Sequence, residues 1–254
     1  MVVEGNTDMT RTADEIKAAV QEHYGERAKQ ASSCCGTAPA SSRDKLYLVD
    51  DVAELPDTVA SYGCGNPTAI AGLRPGEVVL DLGSGPGLDC FLSAKQVGET
   101  GRVIGLDMTQ DMLDLANANR DKLGVKNVEF RKGEMESMPI DDASVNVIIS
   151  NCVINLSPDK DAVFREAYRV LTPGGRFHVS DVVLSRDLSE AEKDDLASWA
   201  GCKAGALLQS DYLARLGAAG FAGARVDSGA PIEGKPWYSA TISAFKAAPQ
   251  TSCC

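Results

Sequence analysis

The stretch from Val78 to Gly87 constrains this chain more than any other. It reads Val-Val-Leu-Asp-Leu-Gly-Ser-Gly-Pro-Gly, so a short apolar run leads directly into a turn with three glycines. An apolar run of this length is typical of a strand that is buried on both faces of a sheet. The glycines let the backbone approach a ligand closely, and a helix beginning after the turn would offer free N–H groups to an anionic group. The stretch therefore predicts a nucleotide site at the end of a strand.

A second strand with an acidic end supports this interpretation. Residues 103–107 read Val-Ile-Gly-Leu-Asp, and Asp107 follows the glycine turn at about the 20-residue spacing of acids that bind both ribose hydroxyls of an adenosine. The glycines are spaced Gly-x-Gly-x-Gly, with Asp81 two residues before the first, whereas the dinucleotide fingerprint is Gly-x-Gly-x-x-Gly and position 88 is Leu. The pattern resembles the first motif of the class I S-adenosylmethionine (SAM) methyltransferases.

Alternating strands and helices define the expected fold. Helical spacing over 14–31, with an interruption at Gly25, predicts an N-terminal cap helix. Thr109, Ser157 and Ser210 are predicted helix caps, and Gly124 is a predicted helix end. Strands are predicted at 78–82, 103–107, 128–132, 145–151, 176–183, 224–226 and 238–245. This pattern predicts an α/β fold, a doubly wound and mostly parallel Rossmann-like sheet. The class I methyltransferase sheet has seven strands, the last antiparallel, which agrees with this count.

The predicted organisation has four parts. Residues 1–66 hold the cap helix and a cysteine-containing loop, 67–183 the SAM-binding core, and 184–249 a substrate-side insert with the closing strands. Residues 250–254 form a flexible tail that ends in Cys253 and Cys254.

Net charge and cysteine content limit which classes of binding partner and which compartment are expected. The net charge is −11, with no long basic run, which argues against nucleic acid or anionic lipid as a partner and favours a small neutral or cationic substrate. No signal peptide and no apolar stretch long enough to cross a membrane are apparent. We therefore expect a cytoplasmic, monomeric protein whose eight cysteines are reduced.

Ligands of doubly wound sheets bind outside the carboxyl ends of the strands. A SAM molecule there would have its methionine at the glycine turn, its ribose on Asp107 and its adenine near Met108, Met135 and an acid at 134 or 136. Its methyl group would point toward Asn151 and Cys152. The predicted cofactor residues are Tyr62, Asp81, Gly83, Ser84, Gly85, Asp107, Met108, Met135, Glu136 and Asn151.

Histidines and cysteines indicate the methyl acceptor. The chain has only two histidines, His23 on the cap helix and His178 in a predicted strand, and neither is a convincing general base. Cys90 is interpreted as a small buried residue. Cys64, Cys152 and Cys202 fall near the predicted rim, where three converging thiolates would form a soft three-coordinate site.

Three segments carry a specific family resemblance. Residues 62–67 (Tyr-Gly-Cys-Gly-Asn-Pro), 150–156 (Ser-Asn-Cys-Val-Ile-Asn-Leu) and 201–206 (Gly-Cys-Lys-Ala-Gly-Ala) resemble the arsenite methyltransferases, which move methyl groups from SAM to trivalent arsenic. The resemblance implies that Cys64, Cys152 and Cys202 bind arsenic through three sulfurs. It also implies that Cys34 or Cys35 helps to take up substrate or to handle a disulfide formed in the cycle. Ser61 departs from the family pattern, in which a second tyrosine is common.

The implied reaction suits these residues. Arsenic(III) bound by three thiolates has a lone pair and no proton to lose, so no general base is needed. The protein must align that lone pair with the sulfonium methyl, and such alignment can lower a barrier by roughly 7–11 kcal/mol. Since thiols bind as thiolates, activity should fall at acidic pH. The expected substrates are arsenite and methylarsenite, with glutathione or thioredoxin as the external reductant and arsenic detoxification as the role.

Two alternatives stay open at this point. One is a SAM-dependent C- or O-methyltransferase of a small organic molecule, which would tolerate Cys152→Ser. The other is a protein that sequesters arsenic or another soft metal through its thiolates and does not bind SAM.

Overall fold

The computed structural model describes residues 12–32, 43–67, 71–188 and 205–249. The strands in these ranges are β1 (Val78–Leu82), β2 (Arg102–Asp107), β3 (Val128–Lys132), β4 (Val145–Asn151), β5 (Leu171–Leu184), β6 (Leu207–Leu208), β7 (Ala222–Ser228) and β8 (Trp237–Phe245). The helices are α1 (Ala13–Ser32), α2 (Arg43–Leu46), α3 (Val49–Val52), α4 (Leu88–Val97), α5 (Gln110–Leu123), α6 (Lys160–Val170) and α7 (Gln209–Ala218). None of these helices is long and apolar enough to cross a membrane.

The strands form one sheet in the order β3, β2, β1, β4, β5, β8, β7. Neighbours from β3 to β5 pair in parallel, whereas β8 is antiparallel to both β5 and β7. This arrangement confirms the predicted mostly parallel, seven-stranded sheet with an N-terminal helix. The two-residue strand β6 was not predicted, and it pairs with the end of β5 beyond the point where β4 stops.

Several helix and strand ends differ from the sequence prediction: β2 and β8 begin one residue earlier, and β7 is longer by two residues at each end. Helix α1 runs through Gly25 without a break, since good helix formers flank this glycine on both sides. Asp159, not Ser157, caps α6, because its carboxylate accepts from the Ala162 N–H at 2.9 Å. Ser210 lies inside α7, whose N-cap is Leu208. Strand β5 begins at Leu171 and not at 176, since the turn after α6 pairs with β4.

The central strands are buried on both faces, as their apolar runs predict. Leu80 and Leu82 of β1 belong to one core cluster, together with Ile148 of β4. Val79 and Val147 belong to a second cluster on the opposite face. Because side chains alternate across a strand, a run of mostly apolar residues supplies both layers at once.

Strand register determines where the site can form. Leu82 at the end of β1 lies opposite Leu106 of β2 and Ser150 of β4. The residues that follow these positions, Asp107 and Asn151, therefore meet the glycine turn at a single edge of the sheet.

A core substitution tests the layer under β5. Phe177 is fully buried, and its ring lies 5.4 Å from that of Phe221 and 6.4 Å from that of Phe164 (centroid distances). We expect Phe177→Ala to lower the free energy of unfolding by about 3–5 kcal/mol, because the cavity cannot fully collapse. In urea denaturation the control Leu48→Ala, whose side chain is 72% exposed, should stay within about 0.5 kcal/mol of the parent. Equal losses in the two variants would contradict the packing described.

Candidate active site

A cavity that is partly open to solvent lies at the carboxyl ends of the central strands. Nine of the ten predicted cofactor residues line it: Tyr62, Gly83, Ser84, Gly85, Asp107, Met108, Met135, Glu136 and Asn151. Asp81 does not line it, because its side chain lies in the sheet below the turn and is 2% exposed. The cap helix α1 contributes Lys17, Val20 and Tyr24 to the wall.

The glycine turn is fixed by hydrogen bonds from its own backbone. The N–H groups of Gly83 and Ser84 donate to the Leu106 carbonyl at 2.8 and 3.0 Å. Gly83 has φ +68°, and a Cβ there would collide with Cγ1 of Val153. Only glycine adopts this φ readily and also leaves room for Val153. One oxygen of the Asp107 carboxylate accepts from Gly85 N–H at 2.9 Å, so the predicted ribose acid also closes the turn.

Three carboxyl groups lie at or below the cavity: Asp89 and the half-buried Asp107 in its wall, and Asp81 beneath the glycine turn. Burial raises the pKa of Asp89 to about 6, against hydrogen bonds from Tyr47 and Asn151. Burial and the neighbouring Asp89 raise the pKa of Asp81. Burial also raises the pKa of Asp107, although backbone N–H groups oppose the shift. None of the three acids forms an ion pair with a described residue.

Helix α1 closes over the cavity through polar contacts. The ammonium of Lys17 lies 2.6 Å from the Glu134 carboxylate and 3.6 Å from that of Glu136. The amide of Gln21 donates to the Met108 carbonyl at 3.4 Å. These contacts connect the cap helix to the two predicted adenine-side segments.

Two of the predicted substrate cysteines belong to one apolar cluster beside this cavity. Cys152, 6% exposed, belongs to an apolar cluster with Val182, Leu184 and Ala206, and Cys64 packs against the same cluster. Both side chains are thiols, and neither takes part in a disulfide. The cluster and the cavity share a wall formed by Val20, Tyr24, Met108, Val153 and Leu156. Cys202, Cys34, Cys35 and the terminal pair lie outside the described residues.

The backbone of Cys152 is strained. Its φ is +63°, and its N–H donates to the Ser180 carbonyl at 2.7 Å. A left-handed conformation is uncommon for a residue other than glycine, and such strain concentrates at functional sites. In the described ranges, no three His, Cys, Asp or Glu side chains are grouped as a metal site.

The side chain of Asn151 holds the Cys64 loop. Its Oδ1 accepts from the N–H groups of Cys64 and Gly65 at 3.0 and 3.2 Å, and its Nδ2 donates to the Gly65 carbonyl at 2.7 Å. A Cβ at Gly63 would collide with the Asn151 Cγ, so the loop can approach this amide only with glycine there. Asn151 therefore lines the cavity and also positions Cys64.

Comparisons with known proteins agree with this geometry. The profile of a methyltransferase domain family matches residues 73–220. The chain is 45% identical over 228 residues to the arsenite methyltransferase of Halobacterium salinarum, covering 83% of this chain and 58% of that protein. It is 38% identical over 251 residues to the arsenite methyltransferase of Aquipseudomonas alcaligenes, covering 90% of this chain and 71% of that protein. The chain belongs to the arsenite methyltransferase family.

A solved structure from the same family matches the fold. The arsenic(III) SAM methyltransferase from Chlamydomonas reinhardtii superimposes with a TM-score of 0.70 at 38% identity, over 79% of this chain and 73% of that one. The family resemblance inferred from the sequence is thereby confirmed. The chain spans a little over half the length of the Halobacterium arsenite methyltransferase.

Asp181, a buried acid of β5, is not among the predicted site residues and does not line the cavity. Its carboxylate is buried and accepts from Asn155 Nδ2 at 2.7 Å and Val182 N–H at 2.9 Å. Burial raises the pKa of Asp181 to about 7, and Lys160 only partly offsets this. The sequence does place Asp181 within an apolar strand, as it places Asp107 at the end of β2. This position could have indicated a buried acid. Neither His23 nor His178 lines the cavity.

Substitutions at Gly83 and Gly98 distinguish the effect of a steric collision from the effect of backbone strain. Gly83→Ala should reduce SAM affinity by about tenfold or more, because the new methyl group collides with Val153 and displaces the turn. Gly98 has φ +67°, and no heavy atom lies within 4 Å of the point where a Cβ would stand. Gly98→Ala should therefore cost stability, by about 1–3 kcal/mol, and leave SAM binding intact. Isothermal titration and thermal melts measure both effects, and equal SAM affinity in the two variants would contradict this description of the turn.

Asp181 also predicts a pH dependence of stability. Between its unfolded pKa of about 3.9 and its folded pKa of about 7, the folded state binds more protons, so this group makes stability fall as pH rises through that window. We expect Asp181→Asn to gain stability relative to the parent by about 2 kcal/mol between pH 5 and pH 8. Denaturation at the two pH values measures this difference, and parallel pH profiles of parent and variant would contradict it.

Proposed function

We propose that this chain transfers a methyl group from SAM to trivalent arsenic held by Cys64, Cys152 and Cys202. The observation that carries the proposal is the meeting of Cys64 and Cys152 at one apolar cluster that shares a wall with the strand-end cavity. These cysteines are far apart in sequence, and folding gives them a common position beside the cavity.

The residues of the cavity fit SAM. Bound SAM supplies an electrophilic methyl group on a positively charged sulfur. Asp89 and Asp107 line the cavity, and neither forms an ion pair with a described residue. A positively charged sulfur beside them would stabilise their ionised forms, so the cavity favours a cationic ligand.

The remaining contacts are assigned by position. The turn of Gly83, Ser84 and Gly85 receives the methionine part, and Asp107 receives the ribose. The Asp107 carboxylate accepts from the backbone N–H groups of Gly85 and Thr109 and also lines the cavity, where a ribose hydroxyl can reach it. Met108, Met135 and Glu136 flank the adenine, and Tyr62 lines the acceptor side.

The thiols capture arsenite by exchange of oxygen for sulfur. Arsenite has three hydroxyl groups, and each As–S bond formed releases one water made from a hydroxyl and a thiol proton. Ala206 packs with Cys152, and only three residues separate Ala206 from Cys202, so the two Cα atoms are at most about 14 Å apart. This short tether supports Cys202 as the third ligand.

The later steps involve the other cysteines and an external thiol. Methylation uses the arsenic lone pair, so a two-electron reductant such as glutathione or thioredoxin must restore arsenic(III). We assign Cys34 and Cys35 to substrate uptake or to the disulfide formed in this step. Arsenite and methylarsenite are the proposed substrates, and the chain acts as a cytoplasmic monomer.

Serine substitutions test the thiol site. Cys64→Ser and Cys152→Ser should each lower arsenite methylation by at least about 100-fold, because one As–S bond is lost while the SAM cavity is unchanged. The matched control is Cys90→Ser, whose hydroxyl can still donate to the Asp81 carboxylate as the thiol does at 3.3 Å. Products are separated by mass spectrometry after incubation with SAM, glutathione and arsenite.

This assay and a SAM-binding titration distinguish the two alternative functions. Full arsenite methylation by Cys152→Ser would remove the thiol site from the mechanism. Arsenite binding by a parent protein that fails to bind SAM would instead identify a sequestering protein.

A further inference from the structure

A buried hydrogen-bond chain leads from helix α2 to the Cys64 loop through Tyr47, Asp89 and Asn151. The Tyr47 hydroxyl donates to the Asp89 carboxylate, with distances of 2.8 and 3.0 Å to its two oxygens. The Asn151 Nδ2 donates to the Tyr47 hydroxyl at 2.9 Å and to Asp89 Oδ2 at 3.3 Å. Tyr47 is 5% exposed and Asp89 is 7% exposed, so the bonds between them lie out of water, whereas Asn151 is half-buried and faces the cavity.

The chain ends on the backbone of Cys64. The Asn151 Oδ1 accepts from the N–H groups of Cys64 and Gly65, so the plane of this amide sets the position of the loop. On the donor side of the same amide, the two N–H groups are shared among the Gly65 carbonyl, the Tyr47 hydroxyl and Asp89 Oδ2, so Tyr47 and Asp89 help to fix that plane. A second anchor, the Ser239 hydroxyl, donates to the Cys64 carbonyl at 2.7 Å.

We propose that Tyr47, Asp89 and Asn151 form a positioning relay that holds the Cys64 thiol ready for arsenite, so that Tyr47, which touches neither ligand, sets arsenite affinity. The proposal rests on the proposed function, in which Cys64 is an arsenic ligand. A preformed ligand costs less ordering entropy on binding than a mobile one. Loss of the relay should therefore weaken arsenite binding before it affects methyl transfer.

Tyr47 separates this role from the roles of its partners. Asp89 and Asn151 line the cofactor cavity, whereas Tyr47 does not. Tyr47→Phe keeps the buried ring and removes only the hydroxyl that connects Asp89 with Asn151. SAM affinity should therefore change less than arsenite affinity in this variant, since Asp89 stays in the cavity wall and keeps its hydrogen bond from Asn151, while the Cys64 loop loses one of its supports.

The experiment compares Tyr47→Phe with the parent and with Tyr168→Phe, which removes a tyrosine hydroxyl from the region around Phe221. We expect Tyr47→Phe to raise the arsenite KM about tenfold, corresponding to about 1.4 kcal/mol. The value of kcat and the SAM Kd should stay within about twofold, because bound arsenic then holds the loop. Without arsenite, alkylation of Cys64 by iodoacetamide, read by peptide mass spectrometry, should become several-fold faster. Tyr168→Phe should match the parent in every measurement.

The outcomes distinguish the relay from the thiol site itself. Unchanged alkylation and unchanged arsenite KM, with Cys64→Ser inactive, would overturn the relay and leave the proposed function intact. Faster alkylation with unchanged arsenite KM would overturn Cys64 as an arsenic ligand and with it the proposal. If Tyr47→Phe does not fold, Asn151→Ser, whose side chain is too short to span the loop, replaces it and should give the same rise in Cys64 alkylation; an unchanged rate there would overturn the relay.

Discussion

The parallel pairing of β1 with β2 on one side and β4 on the other is the constraint on which the rest of the structure depends. It places the ends of the three strands at the same height, with Leu82 opposite Leu106 and Ser150. The glycine turn, Asp107 and Asn151 then share one rim. The register is secure because these strands are buried on both faces, so a slip by one residue would exchange the contents of two packed layers.

Two features of the site would ordinarily destabilise a folded protein. Asp81, Asp89 and Asp107 form no ion pair with a described residue, and their pKa values are raised by burial. Cys152 adopts a left-handed backbone conformation. Both features fit a binding role. A cationic ligand relieves the first, and the hydrogen bond from Cys152 N–H to Ser180 maintains the second.

Local patterns in the sequence predict most of the fold and most of the cavity. Strands β1, β3 and β4 have the predicted bounds, and the turn at Gly83 is recognisable from spacing alone. The contacts of Asn151 with Cys64 and Tyr47 were not predictable, because they join residues 87 and 104 positions apart. The same holds for Asp181, whose burial depends on Asn155 and Tyr212 from other elements. The predicted cap of α6 was wrong for a different reason. Ser157 and Asp159 are both good capping residues, and only the geometry of the turn selects Asp159.

X-ray absorption at the arsenic edge on the full chain loaded with arsenite tests the central claim most directly, because it counts the sulfur neighbours of the bound atom. The account predicts three sulfur ligands in the parent, and two sulfurs with one oxygen in Cys152→Ser. An all-oxygen shell in the parent, or a three-sulfur shell that persists in Cys152→Ser, would contradict it.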